Sequence, residues 1–152
     1  MKTIFTVGMI LLLGCTKKVG TNPALRYSDD AMLDSCKNEA HLYYNNSKVL
    51  LPGKGPHGEH TLRFNSIAFS ALTSNGQLPV GALMPEGSLV IKDVYTNGEI
   101  TLYAFMYKRS GNWLWGEIKP NRDVLHSVTK DPGVCTNCHA GAGNRDKILS
   151  FP

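Results

Sequence analysis

The fold is decided by residues 88–118, which read SLVIKDVYTNGEITLYAFMYKRSGNWLWGEI. Two runs rich in β-branched and aromatic residues flank Asn97-Gly98, and an Asn-Gly pair between such runs is a strong signal for a β-hairpin. A second turn containing Gly111 leads into a third run of the same kind. The segment therefore predicts an antiparallel β meander with strands Ser88–Tyr95, Ile100–Lys108 and Trp113–Ile118.

The residues before this meander predict two helices and one more strand. Ser28 is a suitable helix N-cap, and Asp29 and Asp30 follow it in the first turn, where acidic side chains suit the helix dipole. Apolar residues at helical spacing extend this helix to about Tyr44. A short strand at Thr61–Phe64 and a helix from Asn65 or Ser66 through Leu72 follow. The expected fold class is α+β, an antiparallel sheet with a few flanking helices.

The length of 152 residues is enough for one domain, which we place at 28–152. The formal net charge is +4, and the basic residues are scattered along the chain. A nucleic-acid-binding protein is expected to gather such residues in one stripe, often interleaved with aromatic side chains. The composition therefore argues against nucleic acid as a partner.

The first fourteen residues predict an export signal. Lys2 is followed by about ten apolar residues, a pattern typical of signal peptides and too short to span a bilayer. The residues Leu12-Leu13-Gly14-Cys15 resemble the bacterial lipoprotein processing box. That resemblance implies cleavage before Cys15 and attachment of lipid to it, with residues 15–27 as a polar tether. An ordinary soluble periplasmic protein that is cut nearby is the alternative.

The expected location follows from the residue after this cysteine. Thr16 stands where some bacteria use aspartate to retain lipoproteins in the inner membrane. The sequence therefore favours the periplasmic face of the bacterial cell envelope, at the outer membrane.

A second motif, Cys135-Thr136-Asn137-Cys138-His139, is the covalent attachment signature of haem c. Thiols three positions apart can lie on one side of a turn and add to the two haem vinyl groups, and the histidine then supplies the proximal axial ligand. We therefore expect one covalent haem c per chain. Haem of this type is attached outside the cytoplasm, in agreement with the export signal. The predicted β meander excludes the usual small all-helical cytochromes.

A zinc site and a redox-active pair are two other possible uses of this motif. A zinc site would need two further ligands, and the remaining cysteines and histidines show no second paired spacing. A redox-active Cys-x-x-Cys would sit beside a βαβ pattern, which the sequence lacks. Cys36 is left without a partner and is expected to be a buried thiol on the first helix.

The chain resembles the cytochrome P-460 and cytochrome c′-beta family from about Leu62 to its end. The residues that carry the resemblance are Pro85–Asp93, Tyr103–Lys108, Gly111-Asn112-Trp113, the haem motif and Asp146. The resemblance implies a c-type haem against an antiparallel sheet, usually in a homodimer, with the iron face opposite the histidine open. Members of the P-460 type oxidise hydroxylamine and bind nitric oxide. Members of the c′-beta type bind nitric oxide or carbon monoxide beneath a hydrophobic cap.

Lys92 occupies the position of a strand lysine that becomes cross-linked to the haem edge in P-460 members. The strand pattern gives separate support, because Lys92 shares a face with Val90 and Val94. The alternative is a lysine that extends into solvent from an edge strand.

Further candidates concern the side of the iron opposite His139. Glu117 shares a strand face with two tryptophans and is our candidate for a catalytic proton-transfer carboxylate, with a solvent-facing glutamate as the alternative. Met106 and Met84 could supply a sixth iron ligand, although core packing also explains them. His126 could also be a sixth iron ligand, although a surface histidine is the favoured interpretation, and the same applies to His57 and His60 in a loop. His41 lies on a face of the first helix, where satisfied or exposed histidines predominate. The candidates for an apolar cap, or for simple core, are Phe64, Phe69 and Phe105.

Three functions follow from these features. The first is an exported mono-haem protein that binds or processes a small ligand such as nitric oxide, carbon monoxide or hydroxylamine. The second is a hydroxylamine-oxidising enzyme with a lysine–haem cross-link that passes electrons to a soluble partner. The third is an electron-transfer cytochrome whose iron has six ligands.

Overall fold

A computed structural model of the chain describes residues 28–39, 41–53, 55–130, 133–141 and 145–148. The predicted signal peptide, the lipid anchor Cys15 and the tether lie outside the described residues. Among the described helices, none is long and apolar enough to cross a membrane.

Six strands form one antiparallel sheet in which each strand pairs with the next along the chain. The predicted α+β class, with its β meander, is confirmed. The strands are β1 (Leu42–Tyr43), β2 (His60–Phe64), β3 (Leu89–Thr96), β4 (Glu99–Arg109), β5 (Asn112–Ile118) and β6 (Val124–His126). The α-helices of the described ranges are α1 (Asp29–Asn38), α2 (Ser66–Ser70) and α3 (Gly133–His139), and a short 3-10 helix covers Tyr44–Asn46.

The β3–β4 hairpin has the turn that its sequence predicts. Asn97 and Gly98 adopt left-handed φ angles of 53° and 83°. Two residues with positive φ match the right-handed twist of the strands that they join, and Asn and Gly tolerate this region best. The caps are also as predicted, because the Ser28 hydroxyl accepts the Ala31 N–H and Asn65 Oδ1 accepts the Ala68 N–H.

The prediction that the first helix continues to Tyr44 is wrong. The helix ends at Asn38, and Leu42 and Tyr43 pair with Phe64 and Arg63 of β2. Strand β6 was not predicted, because three residues in a polar stretch carry little periodic signal. Both errors concern short edge strands, which form only by pairing with a neighbouring strand.

The two faces of the sheet bury different sets of side chains. On the helix face, α1 packs Met32, Leu33 and Cys36 against strand residues that include Ile91 and Phe105. Cys36 is fully buried there, as predicted, and burial raises the pKa of its thiol. The opposite face, called the cavity face below, carries a second cluster that includes Leu62, Phe64, Val90, Met106, Trp113 and Trp115.

A buried ion pair ties the helix face to α1. Arg63 Nε donates to Asp93 Oδ2 at 2.7 Å, and the Thr61 hydroxyl donates to the same oxygen at 2.9 Å. The Arg63 guanidinium also donates to the carbonyl of Cys36 at 2.8 Å, near the C-terminal end of α1. One cation therefore connects the second strand, the third strand and the first helix.

We expect Asp93→Ala to lower the free energy of unfolding by about 3–5 kcal/mol, since it leaves the buried Arg63 without its counter-charge. Urea unfolding followed by circular dichroism measures this change. Arg122→Gln, which breaks an ion pair at the exposed side chain of Asp30, is the control and should change stability little. Equal effects of the two substitutions would contradict the proposed importance of the buried pair.

Candidate functional site

A cavity of about 250 Å³ lies between the cavity face of the sheet and helix α3, and it opens to solvent. Most of its surface is apolar. Its walls come from strands β3 to β6, from the loop before β2 and from the helix. The lining residues that carry polar or apolar groups into the cavity include His57, Val90, Lys92, Met106, Trp115, Glu117, His126, Cys135, Cys138 and His139.

The register of the sheet aligns the polar residues of the cavity in one row. Lys92 pairs with Ala104, Ala104 pairs with Glu117, and Glu117 pairs with His126. The neighbouring row contains Val90, Met106 and Trp115 and is apolar. Because side chains alternate along a strand, both rows point to the same side of the sheet. One row therefore supplies the polar groups of the cavity, and the neighbouring row supplies an apolar wall.

Helix α3 presents the Cys-x-x-Cys-His motif to this cavity. Cys135, Cys138 and His139 all line it, because residues separated by three and four positions lie on one side of a helix. Neither cysteine forms a disulfide in the described chain. The Thr136 hydroxyl donates to the carbonyl of Gly133 at 3.2 Å within the first turn of the helix. Two thiols and one imidazole thus meet at one wall.

The imidazole of His139 is oriented by a backbone bond. Its Nδ1–H donates to the carbonyl of Lys147 at 2.7 Å, so the lone pair resides on Nε2. The ring also contacts Trp115, with 4.6 Å between the ring centroids. Burial lowers the pKa of His139, and the charge of Lys92 acts in the same direction, whereas the bond to Lys147 opposes it. The neutral ring is the form that binds a metal.

Glu117 lies between two histidines. Its Oε1 is 3.8 Å from His57 Nε2, and its Oε2 is 3.8 Å from His126 Nε2. The side chains of Glu117 and His57 are 18% and 13% exposed, so neither extends freely into solvent. Burial, followed by the charge of Lys92, lowers the pKa of His57 to about 4. These three residues form a carboxylate–imidazole group at the polar end of the cavity.

The surface positions expected for His57 and His126 are therefore corrected. His126 lies in β6, the strand that was not predicted, and its pairing with Glu117 brings it to the cavity. His57 reaches the cavity from the glycine- and proline-rich loop before β2. Neither contact could be found from local sequence, because each depends on a residue about ten or sixty positions away along the chain.

The other candidates separate into cavity and core. Met106 lines the cavity, whereas Met84 is buried in the cavity-face cluster without lining it. His60 is buried, with Nδ1 3.0 Å from the carbonyl of Gly58, and His41 is buried beside Arg63. Phe64 and Phe69, two of the candidates for an apolar cap, do not line the cavity and instead pack edge-to-face in the cavity-face cluster. Phe105 packs in the helix-face cluster and adds to the cavity wall beside Gly116.

A second type of site uses some of the same residues. Ligand atoms of Glu117, His126 and Cys135 lie within 4.8 Å of one another. Carboxylate, imidazole and thiolate are the usual ligands of zinc, and three of them with an open position make a common arrangement. A metal ion held in this way and a thioether to haem would compete for Cys135.

The residues of the cavity fit a covalent haem in three respects. The walls are mainly apolar, the two thiols and the imidazole lie at one wall, and the imidazole has its second nitrogen bonded to a carbonyl, as metal-ligating histidines usually do. In addition, Trp115 Nε1 is buried and has no hydrogen-bond partner in the described chain. A buried N–H without a partner is rare and is often satisfied by a bound group.

No protein-family model, curated protein or solved structure matches this chain.

The lowered pKa of His57 predicts that the stability of the fold depends on pH in the acid range. The pKa of His57 is lowered from its ordinary 6.5 to about 4 in the folded chain. Between these two pH values the unfolded chain therefore binds a proton that the folded chain does not bind. We expect stability to decrease as the pH falls from about 6.5 to about 4, and we expect His57→Gln to make this decrease shallower. Urea unfolding at several pH values measures both effects. An NMR titration that places the His57 midpoint near 6.5 would contradict the prediction.

Proposed function

We propose that this chain is a mono-haem c protein in which Cys135 and Cys138 hold the haem through thioether bonds and His139 is its axial ligand. The observation that carries the proposal is the meeting of these three side chains at the wall of one apolar cavity. The bound haem supplies an iron centre that can bind a small molecule or exchange an electron.

The cavity residues support a role in small-ligand binding. One wall of the cavity is apolar and disfavours water and charged molecules, because it is made of Val90, Met106 and Trp115. The opening to solvent gives a small molecule access to the cavity. Nitric oxide, carbon monoxide and hydroxylamine are the candidates, since the resemblance to the P-460 and c′-beta family suggests them.

The carboxylate between two histidines favours a second candidate, the oxidation of hydroxylamine. Removing hydrogens from nitrogen requires a base, and Glu117 can accept a proton at either carboxylate oxygen. His126 Nε2 lies 3.8 Å from the other oxygen, Oε2, and its side chain is 36% exposed, so it can pass that proton on to solvent. Lys92, in the same row of the sheet, is the candidate for a cross-link to the haem edge. The electrons would pass to a soluble partner.

The proposed location rests on the sequence alone. Lys2, the apolar run after it and Cys15 support export and lipid anchoring in the bacterial cell envelope. The homodimer that the family resemblance implies is also part of the proposal.

The haem assignment is tested by expressing the full chain in cells that attach haem c. We expect the protein to gain the mass of one haem and to keep it after denaturation, whereas Cys135→Ala with Cys138→Ala should lose it. Cys36→Ala is the matched control, because this thiol is buried on the other face of the sheet. Peptide mapping of the same sample reports whether Lys92 is joined to the haem. A chain that binds stoichiometric zinc and no haem would contradict the proposal.

The function is tested by spectroscopy and turnover. A high-spin spectrum that changes when carbon monoxide is added would support the ligand-binding role. A low-spin spectrum that carbon monoxide does not change would support an electron carrier in which a residue such as Met106 is the sixth iron ligand. If the protein oxidises hydroxylamine, Glu117→Gln should slow dye reduction by about 10²–10⁴-fold and leave carbon monoxide binding intact. Glu99→Gln, at the exposed hairpin turn, is the control. Unchanged turnover in Glu117→Gln would remove this residue from the proton-transfer role.

A further inference from the structure

We propose that the buried ion pair of Lys108 and Asp146 positions the imidazole of His139, acting through the backbone carbonyl of Lys147. Neither Lys108 nor Asp146 lines the cavity, so both are positioning residues. The inference deepens the proposed function and rests on it, because a fixed imidazole matters most when that ring is the axial ligand of a haem.

The pair itself is well formed and shielded from water. Lys108 Nζ donates to Asp146 Oδ1 at 2.9 Å and to Oδ2 at 3.0 Å. The two side chains are only 5% and 7% exposed. Lys108 Nζ also lies 5.0 Å from the centroid of the Trp113 ring, a favourable position for a cation. Charges buried to this degree are strongly coupled, and removing one leaves the other without compensation.

Asp146 is bound to two further parts of the chain. Its Oδ2 accepts the backbone N–H of Met84 at 2.8 Å, and its carbonyl accepts Trp113 Nε1–H at 2.8 Å. The residue is thus attached to strand β4, to strand β5 and to the loop before β3. A backbone position held from three directions has little freedom to move.

The turn around Asp146 depends on these attachments. Arg145 and Ile148 exchange two backbone hydrogen bonds, and the residues between them, Asp146 and Lys147, have φ angles of 47° and 61°. Two consecutive left-handed residues usually call for Asn or Gly, and lysine is a poor choice for this conformation. The local sequence therefore does not explain why the turn is stable. The contacts of Asp146 provide the stabilising interactions that hold these two residues in the left-handed region.

The carbonyl of Lys147 points to His139 because of this turn, and it accepts the Nδ1–H at 2.7 Å. The partner of the second ring nitrogen fixes the tautomer and the orientation of a metal-ligating histidine and raises its basicity. Lys108 is 31 positions before His139 along the chain, yet it connects to the ring through only Asp146 and Lys147. The sheet thereby controls a ligand that helix α3 carries.

The test compares three variants of the full chain. Asp146→Asn removes the charge but keeps a residue that tolerates the left-handed region, Lys108→Met removes the amine, and Lys108→Arg keeps the charge. In the first two, solvent exchange of the His139 Nδ1 proton should be about fivefold faster, the factor expected for the loss of one hydrogen bond. The iron–histidine stretching band of the ferrous protein, measured by resonance Raman, should shift to lower wavenumber. In Lys108→Arg, the exchange rate of the Nδ1 proton and the iron–histidine band should both stay close to those of the unsubstituted protein.

Asp93→Asn is the matched control, because Asp93 is equally buried and paired but lies on the helix face. It should lower stability without changing the iron–histidine band or the exchange of the Nδ1 proton. If Asp146→Asn lowers stability to a similar extent and also leaves both readouts unchanged, the pair is only structural and the inference is overturned.

Two further measurements keep the test decisive. If Asp146→Asn does not fold, Trp113→Phe removes a single bond to Asp146 and should give smaller shifts in the same direction; no shift would count against the inference. If the chain carries no haem, the proposed function fails by itself. Nitrogen-15 NMR of His139 in that haem-free chain then shows whether Asp146→Asn changes the tautomer, and an unchanged tautomer would overturn the positioning role.

Discussion

The alternation of side chains along strands β3, β4 and β5 is the constraint on which the rest of the structure depends. Successive residues of a strand point to opposite faces, and these strands carry apolar residues on both of them, so both faces of the sheet must be covered. Helix α1 covers one face and buries Met32, Leu33 and Cys36 against it. The other face is covered in part by α2, and the cavity lies between the rest of this face and α3.

Helix α3 depends on contacts with the rest of the structure for its stability. It has seven residues, none of which is buried, and a helix of this length is not stable in water by itself. Its contacts with the rest of the structure include the contact of His139 with Trp115, the bond from His139 to the turn at residues 145–148 and the packing of Cys135 against the cavity-face cluster. A haem bound through Cys135, Cys138 and His139 would add a large apolar surface between this helix and the sheet, which would stabilise both.

Two electrostatic environments meet in the cavity. Near the motif, burial and the charge of Lys92 keep His139 neutral, which suits a metal ligand. At the other end, Glu117 has an imidazole on either side, an arrangement that can hold or pass a proton. Ligand binding uses only the first environment, whereas hydroxylamine oxidation requires both. The chemical difference between the candidate functions therefore reduces to whether Glu117 takes part.

The sequence by itself determined the features that local rules govern. The Asn97-Gly98 turn requires residues that tolerate positive φ, the helix caps require side-chain acceptors, and a strand period of two assigns Lys92, Val90 and Glu117 to a face. The spacing of Cys135, Cys138 and His139 likewise follows from one turn of helix. Each of these depends on residues within about five positions of one another, so no knowledge of the rest of the chain is needed.

Only the tertiary structure decided which distant groups meet. It brought His126 to Glu117 through a three-residue edge strand, brought His57 to the same carboxylate from a loop, and paired Lys108 with Asp146 across 38 positions. Charged and polar residues of this kind have many alternative partners in a sequence, and solvent is the usual one. Their partners are chosen by where the packed sheet and helices exclude water, which depends on the whole fold rather than on any local pattern.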